Sequence, residues 1–195
     1  VLAGQKIAEA AGFVSANIHA SISGTVKVIE PRMTSSGSKV NSIVIENDGL
    51  FESVDYSQNK MDLETLYRDD VRNIIKEAGI VGMGGAGFPA NVKLTPKNED
   101  EIDYIIVNGA ECEPYLTSDY RRMIEEPEKP IHGLEICINL FDNAKGIIAI
   151  EDNKPEAIKL LRELTKDNDK ITINELKTKY PQGAERQLIY ANTGR

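Results

Sequence analysis

Three short runs constrain this chain more than anything else in it: Tyr104-Ile105-Ile106-Val107, Gly146-Ile147-Ile148-Ala149-Ile150 and Lys170-Ile171-Thr172-Ile173. The first two are continuously apolar, which is how strands buried on both faces read. Between the runs lie stretches with helical spacing. Thr117 or Ser118 is expected to cap a short helix through Ile124 that ends before Pro127. Ile131, Leu134, Cys137, Ile138 and Phe141 give the next helix its apolar stripe. Asn153-Lys154-Pro155-Glu156 reads as a capping box with proline in the first turn of a helix to about Thr165. Strands alternating with helices predict an α/β, Rossmann-like, mostly parallel sheet.

The front of the chain reads differently. From His19 to Ile29 apolar and polar residues alternate, with Gly24 as a bend. Pro31 to Ser38 reads as a polar turn, Ser42-Ile43-Val44-Ile45 as another strand and Asn47-Asp48-Gly49 as a turn. This predicts a small all-β module over 1–50, a polar connector over 51–62 and an α/β domain over 63–195. Asp62–Ala78 opens the second region as a helix, with Gly79 as its natural C-cap.

Composition narrows the function classes. A net charge of −8 and a pI near 4.9 argue against the basic face that nucleic acid requires. No apolar run approaches the about 20 residues of a membrane span, so no direct membrane insertion is expected. No signal-peptide pattern opens the chain. Cys112 and Cys137 make neither a disulfide framework nor a cluster site, and no metal site is expected. Val1 in place of methionine, and an end at Gly194-Arg195 without a closing element, suggest a piece of a longer protein.

The chemistry-bearing motif is Gly82-Met83-Gly84-Gly85-Ala86-Gly87-Phe88-Pro89, with Lys93 just beyond. Glycines let backbone approach a ligand without side chains in the way, and successive N–H groups in such a loop can face an anion. Lysine adds a mobile positive charge for a phosphate. The Gly-Lys-Ser/Thr ending of a Walker A loop is replaced by Phe88-Pro89. The literal dinucleotide pattern G-x-G-x-x-G is present, but a helix rather than a strand precedes it. Taken alone, the loop reads as readily as a structural turn.

Ligands of parallel sheets bind beyond the carboxyl ends of the strands. There the sequence places Asn108-Gly109-Ala110-Glu111-Cys112-Glu113-Pro114, then Glu151-Asp152-Asn153, then, after a turn, Tyr180-Pro181-Gln182-Gly183-Ala184-Glu185. Amides and carboxylates at this edge suit a ring system and a ribose, and the glycine loop with Lys93 suits the phosphate. Cys112 reads as a small filler, Cys137 as helix core and His19 as a surface or packing residue.

Gly82–Lys93, Asn108–Asp119 with Arg121 and Arg122, and Tyr180–Ile189 together resemble the flavin- and NADH-binding subunit of respiratory complex I. They resemble the C subunit of the Rnf ion-pumping electron-transport complexes more closely. Complex I has arginine where this chain has Met83, aspartate at Ala110, and Gly-Glu-Glu where this chain has Gly183-Ala184-Glu185. Asn108–Tyr115 and Tyr180–Ile189 follow the Rnf version. Ile18–Val26 resembles the biotinyl/lipoyl-like sandwich in front of the flavin domain of the Rnf protein. It lacks a Met-Lys-Met hairpin, so a docking or scaffold role is expected rather than a biotin or lipoate carrier.

The resemblance implies FMN and NAD(H) as cofactors. It implies that the backbone of Gly84, Gly85, Ala86 and Gly87 lines the FMN, with Gly82 and Phe88 also among the cofactor-binding residues, and that Lys93 pairs with its phosphate. Asn108 and Glu111 would hydrogen-bond the ribityl chain or ring edge, Glu113 would sit near the nicotinamide and Glu185 near the nucleotide, with Gly183 a further cofactor-binding residue. The alanines at 110 and 184 remove two carboxylates, so the FMN site is better specified than the NADH site. The 4Fe-4S clusters of the family would lie beyond Arg195. No side chain need act as acid, base or nucleophile, so no catalytic residue is expected. The implied setting is a peripheral position on the cytoplasmic face of the membrane, among the other Rnf subunits, with ferredoxin an indirect partner and the net electron flow from ferredoxin to NAD. This piece would carry at most the flavin–nicotinamide exchange. The rival reading is a cofactor-free scaffold, like the A subunit of the sodium-pumping NADH:quinone reductase; the intact Gly82–Lys93 loop favours the flavin.

Overall fold

The computed structural model describes residues 1–57, 65–83 and 86–195. Asp62, Leu63 and Glu64 of the expected helix, and Gly84 and Gly85 of the glycine loop, lie outside the described residues. The chain divides into two compact units, Val1–Thr95 and Pro96–Arg195.

In the first unit, β1 (Lys6–Ala8) pairs antiparallel with β2 (Ile18–His19), and β3 (Gly24–Met33) pairs antiparallel with β4 (Lys39–Asn47). The strand β3 runs through the expected turn: Pro31 stands opposite Asn41, and the reversal is confined to Thr34–Ser38. Proline fits here because each strand of a two-stranded ribbon is an edge strand. Helix α1 spans Arg68–Glu77, starting later than the apolar spacing suggests. Asp69 and Asp70 in its first turn and Lys76 in its last complement the helix dipole. Its end is a Schellman turn, as the glycine predicts: Gly79 N–H donates to Lys76 O at 3.0 Å and Ile80 N–H to Ile75 O at 3.3 Å.

Asn17 ties the β segment to that helix end. Its Oδ1 accepts from the Ala10 N–H at 2.9 Å, and its Nδ2 faces the carbonyls of Lys76 and Glu77 at 3.5 and 3.4 Å. A Cβ on Gly79 would stand 2.4 Å from the Asn17 carbonyl oxygen, so only glycine lets the two backbones meet. A short helix, α2 (Ala90–Lys93), completes the unit.

The second unit is a three-stranded parallel sheet in the order β5 (Tyr104–Gly109), β6 (Lys145–Glu151), β7 (Ile171–Leu176). Helices α3 (Ser118–Glu125) and α4 (Glu128–Ile138) connect the first two strands, and α5 (Pro155–Leu164) connects the next pair. The α/β class expected from the alternation is what forms. From Gly146 to Glu151 every residue of β6 is buried, because both faces of this central strand are covered. Gly146 lies directly under Leu134 and Ile138 of α4. On the opposite face Ile147 and Ala149 pack with Ala110, Leu176 and Leu188.

Leu188 belongs to α6 (Glu185–Thr193), a helix absent from the sequence reading. That helix ends at Gly194, which is in the left-handed region at φ +73°. Its signal is weak because Leu188 is its only buried residue. The capping box expected at α5 does not form either. Lys154 occupies the N-cap, Pro155 begins the helix, and Asn153 Oδ1 accepts from Lys154 Nζ at 3.0 Å. Among the described residues no helix is long and apolar enough to cross a membrane.

Candidate cofactor-binding site

The glycine motif forms a narrow loop with a closed neck. Gly82 N–H donates to Phe88 O, and Ala90 N–H to Ile80 O, each at 2.9 Å, with Val81 and Pro89 bridged antiparallel. Beyond the neck Met83, Ala86 and Gly87 are exposed, and Phe88 is partly so. Gly87 has φ +61°, and none of the described residues lies within 4 Å of where its Cβ would stand, so the backbone there is bare. Pro89 then opens α2, and Lys93, exposed, is its last residue. Arg72 Nε donates to Leu94 O at 3.0 Å, tying the end of α2 to α1. The sequence identifies the tip of this loop; the neck rests on backbone pairing that no residue type announces.

At the carboxyl edge of the sheet the loops after β5 and β7 are stitched together. Asn108 Nδ2 donates to Gly183 O at 2.8 Å, and Asn108 Oδ1 accepts from the Ala110 N–H at 3.1 Å. A Cβ on Gly183 would stand 2.8 Å from the Ala110 carbonyl oxygen. Asn108 and Gly183, separated by most of the domain in sequence, are thus in direct contact.

Glu111 is only 8% exposed. Its Oε1 accepts from the Asp119 N–H at 2.8 Å and its Oε2 from the Tyr120 N–H at 3.1 Å. The carboxylate therefore caps α3 from outside the helix, which corrects the expected cap: the N-cap residue Thr117 makes no side-chain cap bond. A charged acceptor at a helix N-terminus meets both the orphan N–H groups and the dipole. Burial, and then the charge of Glu111, raise the carboxyl of Asp119 above its ordinary range, with Arg122 opposing.

Glu113 is exposed, and its Oε2 receives only a long contact from Cys112 Sγ at 3.7 Å. Glu185 is the first residue of α6, where a negative charge suits the helix dipole. Burial raises the Cys137 thiol, consistent with packing rather than reactivity.

Two acids at the end of β6 matter more to this edge than sequence reasoning assigned. Glu151 is fully buried; its Oε1 accepts from the Lys179 N–H at 3.2 Å, and its Oε2 meets no donor among the described residues. Asp152 accepts from the Thr178 N–H at 3.0 Å, the Thr178 hydroxyl at 2.5 Å and Lys177 Nζ at 3.0 Å. Buried Gln182 donates to Lys177 O at 3.0 Å from the other end of the same loop. The only sequence signal was an acidic pair directly after an apolar run.

The Thr178 hydroxyl, followed by Lys177, pulls the Asp152 carboxyl down to about 2 from 3.8. A depressed acid contributes stability that is full above its ordinary value and lost as pH falls through the lowered one. The protection of the Thr178 amide, corrected for intrinsic exchange, is therefore expected to fall as pH drops from about 4 toward about 2. Protection flat across that window would show that Asp152 does not hold the loop.

Residues 75–195 match the family described as the Nuo51 FMN-binding domain. The chain belongs to that family. Residues 1–50 match a second family, the RnfC barrel sandwich hybrid domain. Over all of its length the chain is 44% identical to the C subunit of the Na(+)-translocating ferredoxin:NAD(+) oxidoreductase complex of Acetobacterium woodii. Over 98% of its length it is 46% identical to the C subunit of the proton-translocating ferredoxin:NAD(+) oxidoreductase complex of Clostridium ljungdahlii. The C subunit of an ion-translocating oxidoreductase complex of Haemophilus influenzae is 40% identical. The chain spans 44%, 42% and 30% of the lengths of these three relatives. Among solved structures, an NAD+-reducing NiFe hydrogenase in the H2-reduced state superposes with a TM-score of 0.55 at 24% identity, over 66% of this chain and 24% of that one. That likeness is one of fold. The resemblances to the Rnf protein and to the complex I flavin subunit hold.

Proposed function

We propose that this chain is an FMN- and NAD(H)-binding electron-input module of an ion-pumping ferredoxin:NAD oxidoreductase complex. The observation that carries the reading is the necked glycine loop, which presents bare backbone at Gly87 and leads in one helical turn to Lys93, in a chain of an FMN-binding family. The donor set of the loop fits a phosphate: backbone amides and a lysine.

In this reading Gly82, Gly84, Gly85, Ala86, Gly87 and Phe88 face the flavin and Lys93 holds its phosphate. Asn108 and Glu111 act largely through the backbone. One fixes Gly183 against Ala110, and the other fixes the start of α3. Glu113 and Glu185 receive the nicotinamide nucleotide. Bound FMN would accept two electrons as hydride and pass them on singly. The chain's own residues bind, orient and exclude water; none transfers a proton to substrate. The module would sit peripherally on the cytoplasmic face with the other subunits of the complex, ferredoxin would reach it indirectly, and 4Fe-4S clusters would belong to sequence outside this chain.

The test is quenching of FMN fluorescence by this chain and by the full-length protein. Saturable quenching is expected, weakened about tenfold by Lys93→Ala, the scale of one exposed charge-assisted contact. Binding by the full-length protein alone would mean that the pocket needs the remaining sequence. No binding by either would leave a cofactor-free scaffold.

A further inference from the structure

Residues 112–117 form an excursion whose neck is pinned by one side chain. It leaves the sheet at Glu111, and the Glu111 carboxylate grips its return at the Asp119 and Tyr120 amides. Near its apex stands Tyr115. The ring is wholly exposed, and the backbone is in the left-handed region at φ +68°. That region is unfavourable for most side chains and is normally left to glycine, asparagine or aspartate. An exposed aromatic ring adds nothing to the core in return. Strain that is held by a well-pinned frame and repaid by no packing points to a contact made outside the folded chain.

We propose that Tyr115 stacks on a planar ring of the exchanging nicotinamide dinucleotide, and so is a substrate-binding residue. The inference rests on the flavin–nicotinamide reading above and adds a ring-binding position to it. The apex lies beyond the carboxyl end of β5, where ligands of parallel sheets bind. Glu113, two residues earlier and exposed, offers an acceptor for an amide or a ribose hydroxyl beside the ring. Tyr180, also exposed, lies on the loop that Asn108 joins to this one through Gly183. A resident cofactor encloses its ring contacts, whereas a ring left bare in solvent suits a ligand that arrives and leaves at each turnover. The rigid neck keeps the cost of ordering the loop low when the ligand binds.

The experiment uses the full-length protein loaded with FMN, in wild-type form and as Tyr115→Phe and Tyr115→Gly, with anaerobic NADH titration. Tyr115→Gly is expected to weaken NADH about fivefold, the scale of one aromatic stacking contact. FMN retention should be unchanged and thermal stability equal or higher, since glycine accepts φ +68° without strain. Tyr115→Phe is expected to bind NADH as wild type does. A ring that merely supports the fold would instead lower stability when removed. Wild-type NADH affinity in Tyr115→Gly overturns the proposal while leaving the flavin reading intact, and loss of assembly into the complex in that variant would then assign the ring to a protein partner. Loss of FMN together with NADH overturns it too, by placing the ring in the resident cofactor's pocket. Absence of FMN from the wild-type protein overturns both readings.

Discussion

Replacing Glu111 with alanine is expected to cost about 3 kcal/mol, the sum of a lost N-cap and of backbone donors left without a charged acceptor. Both oxygens are in use, one on Asp119 N–H and one on Tyr120 N–H, and the side chain is almost out of solvent. Water cannot simply take its place. Glu111→Gln keeps one acceptor oxygen but turns an amide donor toward a second N–H, so it should fall between wild type and alanine. Equilibrium urea unfolding of the full-length protein, with amide exchange at residues 119 and 120, checks this. Weakened FMN binding with unchanged protection of those two amides would instead mean that Glu111 touches the ligand directly, as the resemblance alone implies.

Gly183→Ala is expected to cost about 2 kcal/mol by overpacking against a rigid neighbour. The new Cβ would stand 2.8 Å from the Ala110 carbonyl oxygen, a backbone atom that cannot rotate away, and 3.6 Å from Asn108 Oδ1. Relief requires the loops after β5 and β7 to part, which breaks the Asn108–Gly183 bond. Flavin affinity should fall with stability, because the same stitching arranges the edge. Gly133→Ala supplies a control of opposite sign. Gly133 lies inside α4 with none of the described residues within 4 Å of its Cβ position, so alanine there should stabilise by about 0.5–1 kcal/mol. Equal effects of the two substitutions would show that close approach at Gly183 is not what its neighbours require.

The parallel sheet was legible because burial on two faces leaves a mark on composition. Ile147–Ile150 show it; Ile105–Val107, equally apolar, are only half-buried because β5 lies at the edge of the described sheet, and the observed strands extend these runs by only a residue or two at either end. Gly79 was legible because a helix end needs a left-handed residue. What the sequence hides is non-local. Glu111 caps α3 from outside the helix, and Asn108 reaches Gly183 across two intervening βα units; neither spacing belongs to a local rule. Helix α6 escaped because one leucine does not make a stripe, and β3 was cut short because proline suggests a turn unless the strand is known to lie at an edge. The residues of the candidate site were nominated by motif. Their work in the fold emerged only from the hydrogen bonds, which turn Asn108 and Glu111 into builders of the edge.

The grip of Asn17 on the last turn of α1 has a mechanical consequence. The glycine loop springs from Ile80, immediately after the Gly79 backbone that presses on the Asn17 carbonyl. Any pull that separates β1 and β2 from α1 must first break the Asn17 bonds to that turn and the Lys6–Glu77 ion pair. The anchor released is the one that steadies the loop at its root. Tension at the β-rich segment is thereby carried to the backbone of Gly79 and Ile80, one residue before the neck of the loop begins.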